Sequence, residues 1–453
     1  MGLGGTALRA LATTDAARGP HHAARAKRVI FLFMAGAPSQ LDLFDHKPDL
    51  HRLFREPLPP SVSMGQRVTA MTRGREQRVA PSMFGFARRG AGGVWWSELL
   101  PHLGACADDI CVVRSMHTNA INHDPGKTFL CTGSEIPGKA SMGAWLSYGL
   151  GSMNRDLPDF VVLTSAFWTG GQRNVQGLYG RLWSNGFLPG RHQGTALQST
   201  GDPVLFLSDP KGIDRGVRRR MLDAIARLNR KHEGEFGDPD IATTIAQQEM
   251  AFRMQAAVPE LCAVDDEPQH VLDLYGPEVA KPGSFARNCL LARRMIERDV
   301  RFVQLFHRGW DHHSILPKQL PGQCYDVDQP SAALLIDLKR RGLLDDTIVV
   351  FAGEFGRTVY CQGKLERDDY GRDHHPRCFS AWLAGGGIRG GIAYGETDDF
   401  SYNVVSDPVS VHDLHATMLH LLGIDHRRLV FPRQGLDERL TGVEPANVVA
   451  GIV

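Results

Sequence analysis

Short, continuous apolar runs alternate with amphipathic stretches along most of the chain. The runs have the length of buried strands and lie at residues 27–36, 109–115, 159–165, 300–306, 346–353 and 378–387. Amphipathic patterns with helical spacing lie at 213–234, 241–256, 284–298, 330–342 and 409–422. Strands that are apolar on both faces and alternate with helices are typical of parallel sheets covered on both sides. The pattern therefore predicts an α/β fold, with a mostly parallel central sheet and helices on both of its faces.

Polar side chains follow or precede these runs at the points where the strands are expected to end. Ligands of parallel α/β sheets bind beyond the carboxyl ends of the strands, so we expect these side chains to converge on one site. The tripeptide Asp-His-His occurs at two of these places, 311–313 and 373–375, and both are interpreted as turns. The candidate site residues are Asp42, His123, Lys127, Asp311, His313, Glu354, Arg357 and His374.

A divalent metal ion accounts for this combination of carboxylates and imidazoles. Mixed Asp, Glu and His ligands suit zinc, with calcium and manganese as alternatives, and such ions activate water or stabilise an oxyanion. The two Asp-His-His tripeptides favour a metal site over surface loops with charge-paired histidines. Isolated histidines such as His117, His307 and His412 are interpreted instead as packed or capping rings.

Length and composition narrow the class of protein. The 453 residues include 51 basic and 50 acidic side chains, a net charge of +1 that gives no indication of a nucleic-acid partner. No apolar run is long enough to span a membrane as a helix. The eight cysteines form no C-x-x-C pair, which favours scattered buried thiols, with disulfides as the alternative. No linker or repeat divides residues 27–453, so one domain is expected.

Two segments differ in composition from the rest of the chain. Residues 1–26 are rich in Gly and Ala and carry a single acidic residue, Asp15, which is typical of the remnant of an export signal or of a disordered extension. Residues 166–283 form a loop-rich insertion with many Gly, Asn, Gln, Arg and aromatic residues. That composition suits the binding of sugars through flat apolar faces, and a long loop around the sheet edge is the alternative.

Distinctive ordered blocks cover the chain from residue 27 onward. They include "KRVIFLFMAGAPSQLDLFDHKPDL", "HDPGKTFLCTG", "GWDHH", "GEFGRT" and "GRDHHPRCFSAWLAGGGIRGG". These blocks resemble the bacterial proteins of domain-of-unknown-function family 1501, which is placed in the alkaline phosphatase and sulfatase superfamily. The resemblance implies an alkaline phosphatase-like three-layer sandwich. It also implies a periplasmic or otherwise exported protein, because family members usually carry a twin-arginine signal and "MGLGG" is similar to its last part.

The resemblance assigns roles to particular residues. Glu354 corresponds to the aspartate of an Asp-His pair of metal ligands, and Phe355 replaces the histidine of that pair. His374 has the spacing of a further ligand before the last strand. Asp311 and His313 resemble the pair that completes the metal site.

The first strand departs from the superfamily pattern. An aspartate normally stands at the end of this strand, whereas here the chain reads "AGAPSQ" and reaches Asp42 only later. A second metal site is therefore remodelled or absent, and Asp42 stays a candidate ligand of the first.

The nucleophile also departs from the pattern. Sulfatases carry C-x-P-x-R shortly before a Thr-Gly, and "HDPGK" aligns with that element, with His123 at the cysteine and Lys127 at the arginine. A formylglycine mechanism is excluded because an imidazole is not converted to the aldehyde. His123 then attacks directly, ligates the metal or acts as a base toward water, and these three roles remain open. Lys127 and Arg357 are expected to bind the oxyanion.

These observations predict a metal-dependent hydrolase that acts on phosphate or sulfate esters of a small molecule or a glycan. The alternative is a catalytically silent protein with the same fold that binds an anionic glycan or another ligand. Phe355, the missing strand-end aspartate and the replaced nucleophile favour this alternative.

Overall fold

The computed structural model describes residues 19–167, 175–198, 209, 212–236 and 239–453. The strands are Arg28–Ala35 (β1), Phe86–Arg89 (β2), Val94–Ser97 (β3), Ile110–His117 (β4), Phe160–Thr164 (β5), Thr195–Leu197 (β6), Phe302–Arg308 (β7), Thr347–Ala352 (β8), Gly356–Glu366 (β9), Asp369–His375 (β10), Phe379–Ala384 (β11), Ile392–Tyr394 (β12), Glu396–Thr397 (β13), Val404–Ser406 (β14), Val409–Ser410 (β15), Phe431–Arg433 (β16) and Leu436–Glu438 (β17). The α-helices are Gln40–Leu43 (α1), Pro60–Ser63 (α2), Pro101–Ala105 (α3), His123–Thr132 (α4), Met142–Leu150 (α5), Arg215–Phe236 (α6), Pro239–Cys262 (α7), Gln269–Tyr275 (α8), Phe285–Glu297 (α9), Leu316–Arg340 (α10) and Val411–Leu421 (α11).

The central sheet has the strand order β12-β4-β11-β8-β1-β7-β5-β6, and β15 also pairs with β4. Strand β1 lies between β7 and β8 and runs parallel to both, which confirms the predicted mostly parallel sheet. Strand β11 is antiparallel to both of its neighbours, β4 and β8. Between β8 and β11 the chain forms the β9–β10 hairpin instead of a crossover helix, and parallel pairing requires such a crossover.

Helices cover both faces of this sheet. Alternate residues of β1 enter two separate cores, with Ile30 and Leu32 on one face and Phe31 and Phe33 on the other. Helices α7, α9 and α10 contribute to the first core, and α4, α5 and α11 to the second. The predicted three-layer α/β architecture is therefore confirmed.

Some local predictions were wrong. The helix expected at 330–342 is the end of a longer helix, α10, in which Pro321 and Pro330 interrupt the sequence pattern. Residues 373–375 lie in strand β10 and not in a turn. Helix α4, which begins at His123, was not predicted because its glycine and proline hide the helical pattern.

The two segments of unusual composition are described only in part. Residues 1–18, where the export signal was expected, lie outside the described residues, and residues 19–26 form backbone hydrogen bonds with Gly149, Leu421 and Gly423. The described parts of 166–283 contain β6 and helices α6 to α8. None of the described helices has the length and apolar character needed to cross a membrane. All eight cysteines are free thiols.

Candidate metal centre

Four side chains from distant parts of the chain meet at one edge of the sheet. Asp311 and His313 follow strand β7, His123 is the first residue of helix α4, and His374 lies in strand β10. We call these four residues the imidazole–carboxylate cluster. One ligand atom from each lies within 4.8 Å of all the others, and only the His313 side chain is more than marginally exposed. The expected meeting of the 311–313 and 373–375 segments thus occurs.

Asp311 lies at the centre of the cluster. Its Oδ1 atom is 2.8 Å from His313 Nε2, 3.2 Å from His123 Nε2 and 3.5 Å from His374 Nε2. Its other oxygen, Oδ2, accepts a hydrogen bond of 2.8 Å from the side-chain amide of Gln176. The three imidazoles therefore present the same ring nitrogen to one carboxylate oxygen.

Each imidazole has its other nitrogen, Nδ1, beside an oxygen that accepts a hydrogen bond. The pairs are His123 with Glu354 Oε1 at 2.6 Å, His313 with Gln362 Oε1 at 2.5 Å, and His374 with the carbonyl oxygen of Ile121 at 2.8 Å. An acceptor at Nδ1 places a proton on that nitrogen and leaves Nε2 able to offer a lone pair. This is the arrangement that fixes histidine tautomers around metal ions in proteins.

The Nε2 atoms lie so close together that a cation between them would stabilise the arrangement. Those of His313 and His374 lie 3.1 Å apart, and two lone pairs at this separation repel unless a proton or a metal ion is shared between them. His123 Nε2 is buried, and no described residue gives it a hydrogen bond of good geometry, although Asp311 is close. A divalent cation satisfies all these groups at once, so the residues fit a metal ion.

The protonation states of Asp311 and His374 suit metal binding, whereas that of His123 opposes it. Burial alone would raise the pKa of Asp311, but Arg357 and the three imidazoles hold it well below its usual range. Burial lowers the pKa of His374 to about 4. For His123, burial works in the same direction, yet its contacts with the carboxylates of Asp311 and Glu354 raise its pKa above the usual value. Near neutral pH a proton on His123 is therefore the competitor that a metal ion must displace.

Glu354 supports the cluster from behind His123. Its Oε1 and Oε2 atoms accept hydrogen bonds from the backbone N–H of Gly36, at 3.0 and 3.2 Å. Gly36 has a φ of +116°, and a Cβ atom there would lie 2.7 Å from Asp311 N. Only glycine lets the end of β1 approach the segment that carries Asp311 this closely.

Arg357 is also buried behind the cluster, with 1% of its surface exposed. Its guanidinium donates to Asp311 Oδ1 at 2.6 Å and to the carbonyl oxygens of Ala37 at 3.0 Å, Arg372 at 3.2 Å and Gly36. These bonds use four of the five N–H groups that a guanidinium offers. The structure thus directs Arg357 toward protein oxygens, where the sequence suggested an oxyanion.

Asp42 lies outside the cluster. Its carboxylate is fully buried and pairs with Arg372, whose Nε atom is 2.7 Å from Oδ2. The hydroxyls of Ser39 and Tyr370 donate to the same carboxylate, at 2.6 and 3.3 Å. With its charge neutralised in this way, Asp42 does not join the cluster. The expectation that Glu354 is a metal ligand was also wrong, because Glu354 lies outside the cluster and contacts His123 Nδ1 instead.

Lys127 lies one turn along α4 from His123 and is 1% exposed. Its ammonium donates to the carbonyl oxygen of Gly177 at 2.5 Å and lies 5.8 Å from the centre of the Tyr179 ring. Burial lowers the pKa of Lys127. The segment that supplies Gly177 therefore contacts the site.

Gln176 and Gln362 are contacts that sequence reasoning missed. Both are glutamines without a motif, and the only signal for Gln176 was its position in the polar stretch 166–283. Phe355 was seen only as a lost ligand. Its ring packs against those of His123 and His374, with centroids 5.0 and 4.8 Å away.

A family model described as "Protein of unknown function (DUF1501)" matches residues 26–453. The chain belongs to this family. The resemblance read from the ordered blocks is thereby confirmed for DUF1501. Curated proteins include no match to the chain.

Several solved structures are similar to this DUF1501 protein at low sequence identity. The PsFucS1 sulfatase from Pseudoalteromonas sp. is 13% identical, with 93% of this chain and 71% of that one covered and a TM-score of 0.35. Alkaline phosphatase from the Antarctic bacterium TAB5 is 10% identical, with 88% and 98% covered and a TM-score of 0.30. The phosphonate monoester hydrolase SpPMH from Silicibacter pomeroyi is 12% identical, with 88% and 73% covered and a TM-score of 0.30. Sequence identities and TM-scores this low do not indicate an activity for this chain, which depends on its own side chains.

Proposed function

We propose that this protein is a metal-dependent hydrolase of phosphate or sulfate esters, and that His123, Asp311, His313 and His374 hold the metal ion. The observation that carries the proposal is the convergence of three Nε2 atoms on Asp311 Oδ1, with every Nδ1 atom hydrogen-bonded to an acceptor. A divalent cation bound there withdraws electron density from an ester oxygen or from water and so favours hydrolysis.

Zinc is the ion that this donor set favours. Three imidazole nitrogens and one carboxylate oxygen suit zinc, and manganese less well. Calcium prefers six to eight oxygen ligands and is disfavoured by so many nitrogens. Among the roles that the sequence leaves open for His123, we assign it that of a ligand, because its Nε2 atom faces Asp311.

The remaining polar residues have roles around the metal site. Glu354 accepts the Nδ1 proton of His123 and orients the ring. Lys127 binds an anionic oxygen of the substrate once that oxygen replaces the carbonyl of Gly177. Hydrolysis adds water across the ester: the bond between oxygen and phosphorus or sulfur breaks, and the released alcohol takes up a proton.

A sugar ester is the substrate class that the surroundings of Lys127 support. The Tyr179 ring is 50% exposed and has the ammonium of Lys127 on one side and the guanidinium of Arg181, at 4.6 Å from its centre, nearby. An exposed aromatic ring beside cations suits a sugar with an anionic substituent. We therefore propose an enzyme that acts on an anionic glycan or a smaller sugar ester.

A binding protein without turnover is the second candidate. Gln176 and Gly177 engage both Asp311 and Lys127, so one short segment already satisfies groups that a substrate would need. A ligand that displaces this segment would be held without being hydrolysed.

Metal analysis and hydrolysis assays distinguish these proposals. Purified protein is loaded with zinc, its metal content is measured, and aryl phosphates and aryl sulfates are assayed with and without chelator. His374→Ala is expected to lose the metal. The matched control is His375→Ala, because His375 is also buried but donates to the Tyr402 carbonyl oxygen at 2.6 Å, outside the cluster. Folded wild-type protein that takes up no metal refutes the site, whereas loaded protein that hydrolyses no ester favours the binding protein.

A further inference from the structure

The guanidinium of Arg357 occupies a pocket made of oxygen atoms. Its partners are three backbone carbonyls and Asp311 Oδ1, which also faces the imidazoles of the cluster. Backbone carbonyls and carboxylates are the ligands that hard cations take in proteins. The protein thus surrounds a fixed positive charge of its own with the kind of atoms that would otherwise hold a metal ion.

The neighbouring carboxylates are not available for a second metal ion. Both oxygens of Asp42 are engaged by Arg372, Ser39 and Tyr370. Asp373 accepts hydrogen bonds of 2.5 Å from the hydroxyls of Thr69 and Thr72.

The end of β1 does not supply a ligand for a second metal ion either. The residue there is Gly36, and a Cβ atom on it would lie 2.7 to 2.9 Å from the backbone of Trp310 and Asp311. No side chain can extend from this position without moving that backbone.

We propose that Arg357 acts as a built-in cation beside the metal centre, so that each chain binds one divalent ion, and that its guanidinium competes with this ion for Asp311. The proposal rests on the metal site proposed above. Arg357 is then a positioning residue: it orients Asp311 and limits how strongly that carboxylate binds the metal.

Removing Arg357 should change the zinc affinity in the opposite direction from removing a residue that only supports the fold. Removing the guanidinium frees Asp311 Oδ1 and takes away a like charge, so zinc affinity should rise. Coulomb's law gives a rise of about tenfold for a unit charge and a divalent cation a few ångströms apart in a water-like dielectric. Loss of a residue that only supports the fold would weaken metal binding instead.

The test measures zinc stoichiometry and affinity in wild type, Arg357→Gln, Arg357→Lys and Arg293→Gln. Arg293→Gln is the matched control, because Arg293 is equally buried but pairs with Glu267, Glu297 and Asp337, away from the cluster. We expect one equivalent of zinc in wild type, about tenfold tighter binding in Arg357→Gln, and unchanged affinity in Arg357→Lys and Arg293→Gln. The visible spectrum of the cobalt-loaded protein should shift in Arg357→Gln and not in Arg293→Gln, because only the former changes the surroundings of Asp311.

The outcomes separate this proposal from the one it rests on. Two equivalents of zinc in wild type, or equal or weaker affinity in folded Arg357→Gln, overturn the role of Arg357 and leave the metal site standing. No zinc in folded wild type removes both. If Arg357→Gln does not fold, the wild-type stoichiometry and the affinity of Arg357→Lys decide, and tighter binding in the lysine variant counts against the proposal.

Discussion

Replacing Glu354 with glutamine should weaken metal binding without disturbing the fold. The carboxylate Oε1 atom accepts hydrogen bonds from His123 Nδ1 at 2.6 Å and from Gly36 N at 3.0 Å. The amide oxygen of glutamine can keep both bonds, so the substitution removes mainly the negative charge. Changes to residues that orient metal-bound histidines commonly cost 10- to 100-fold in affinity, which corresponds to about 1.4 to 2.8 kcal/mol. We expect a loss of this size, because the carboxylate also makes His123 a more basic ligand.

The assay is competition for zinc between the protein and a chromophoric chelator at neutral pH. Glu438→Gln is the matched control, because Glu438 forms an ion pair with Lys139 at 2.6 Å and does not belong to the cluster. Its zinc affinity should equal that of wild type. A folded Glu354→Gln protein whose zinc affinity stays within about twofold of wild type would contradict this prediction. It would show that the 2.6 Å contact between Glu354 Oε1 and His123 Nδ1 does not affect metal binding.

Three further predictions concern pH, the glycine at the end of β1 and Lys127. Burial lowers the pKa of His374 and of His375 to about 4, from an ordinary value of 6.5, so the unfolded chain takes up protons between these values that the folded chain does not. The free energy of unfolding of the metal-free protein should therefore decrease as the pH falls from about 6.5 to 4, and His123 does not offset this trend, because the stabilisation that it gains from its raised pKa is fully present below about pH 6.5 and stays constant in this range. Urea denaturation that gives the same stability at both pH values would contradict this expectation. Gly36→Ala should destabilise the protein by roughly 1–3 kcal/mol in urea denaturation and lower its zinc affinity, because the new Cβ atom meets Asp311 N. The control Gly65→Ala should keep wild-type zinc affinity, because Gly65 also has a positive φ but has open space around it. Equal zinc affinity in Gly36→Ala and wild type would contradict the steric explanation. Lys127→Met should keep its zinc and lose roughly 100-fold in kcat/KM on aryl phosphates, and unchanged turnover would remove Lys127 from the site.

Apolar runs revealed the sheet because its strands are buried on both faces. The rule that ligands bind at strand ends led to the expectation that Asp311, His313 and His374 lie together, and the structure brings these three side chains together although they are far apart in the chain. Gln362 was missed because its contact with His313 depends on how the hairpin β9–β10 is placed beside β7, and no local pattern reveals such long-range placement. The direction of β11 was missed for the same reason, since an apolar run looks alike in either direction.

His123, Glu354, Gly36 and Phe355 form one connected set of contacts in the structure. His123 contributes an imidazole to the cluster, and the carboxylate of Glu354 orients this ring through its Nδ1 atom. The N–H of Gly36 in turn donates to both oxygens of Glu354 and holds the carboxylate in place. The ring of Phe355 packs against the imidazoles of His123 and His374. Any side chain in place of Gly36 would collide with the backbone that carries Asp311, so glycine at this position keeps Glu354 and Asp311 in reach of the same imidazole. Each of these contacts orients or supports an imidazole of the cluster, and this connected geometry supports the metal site proposed above.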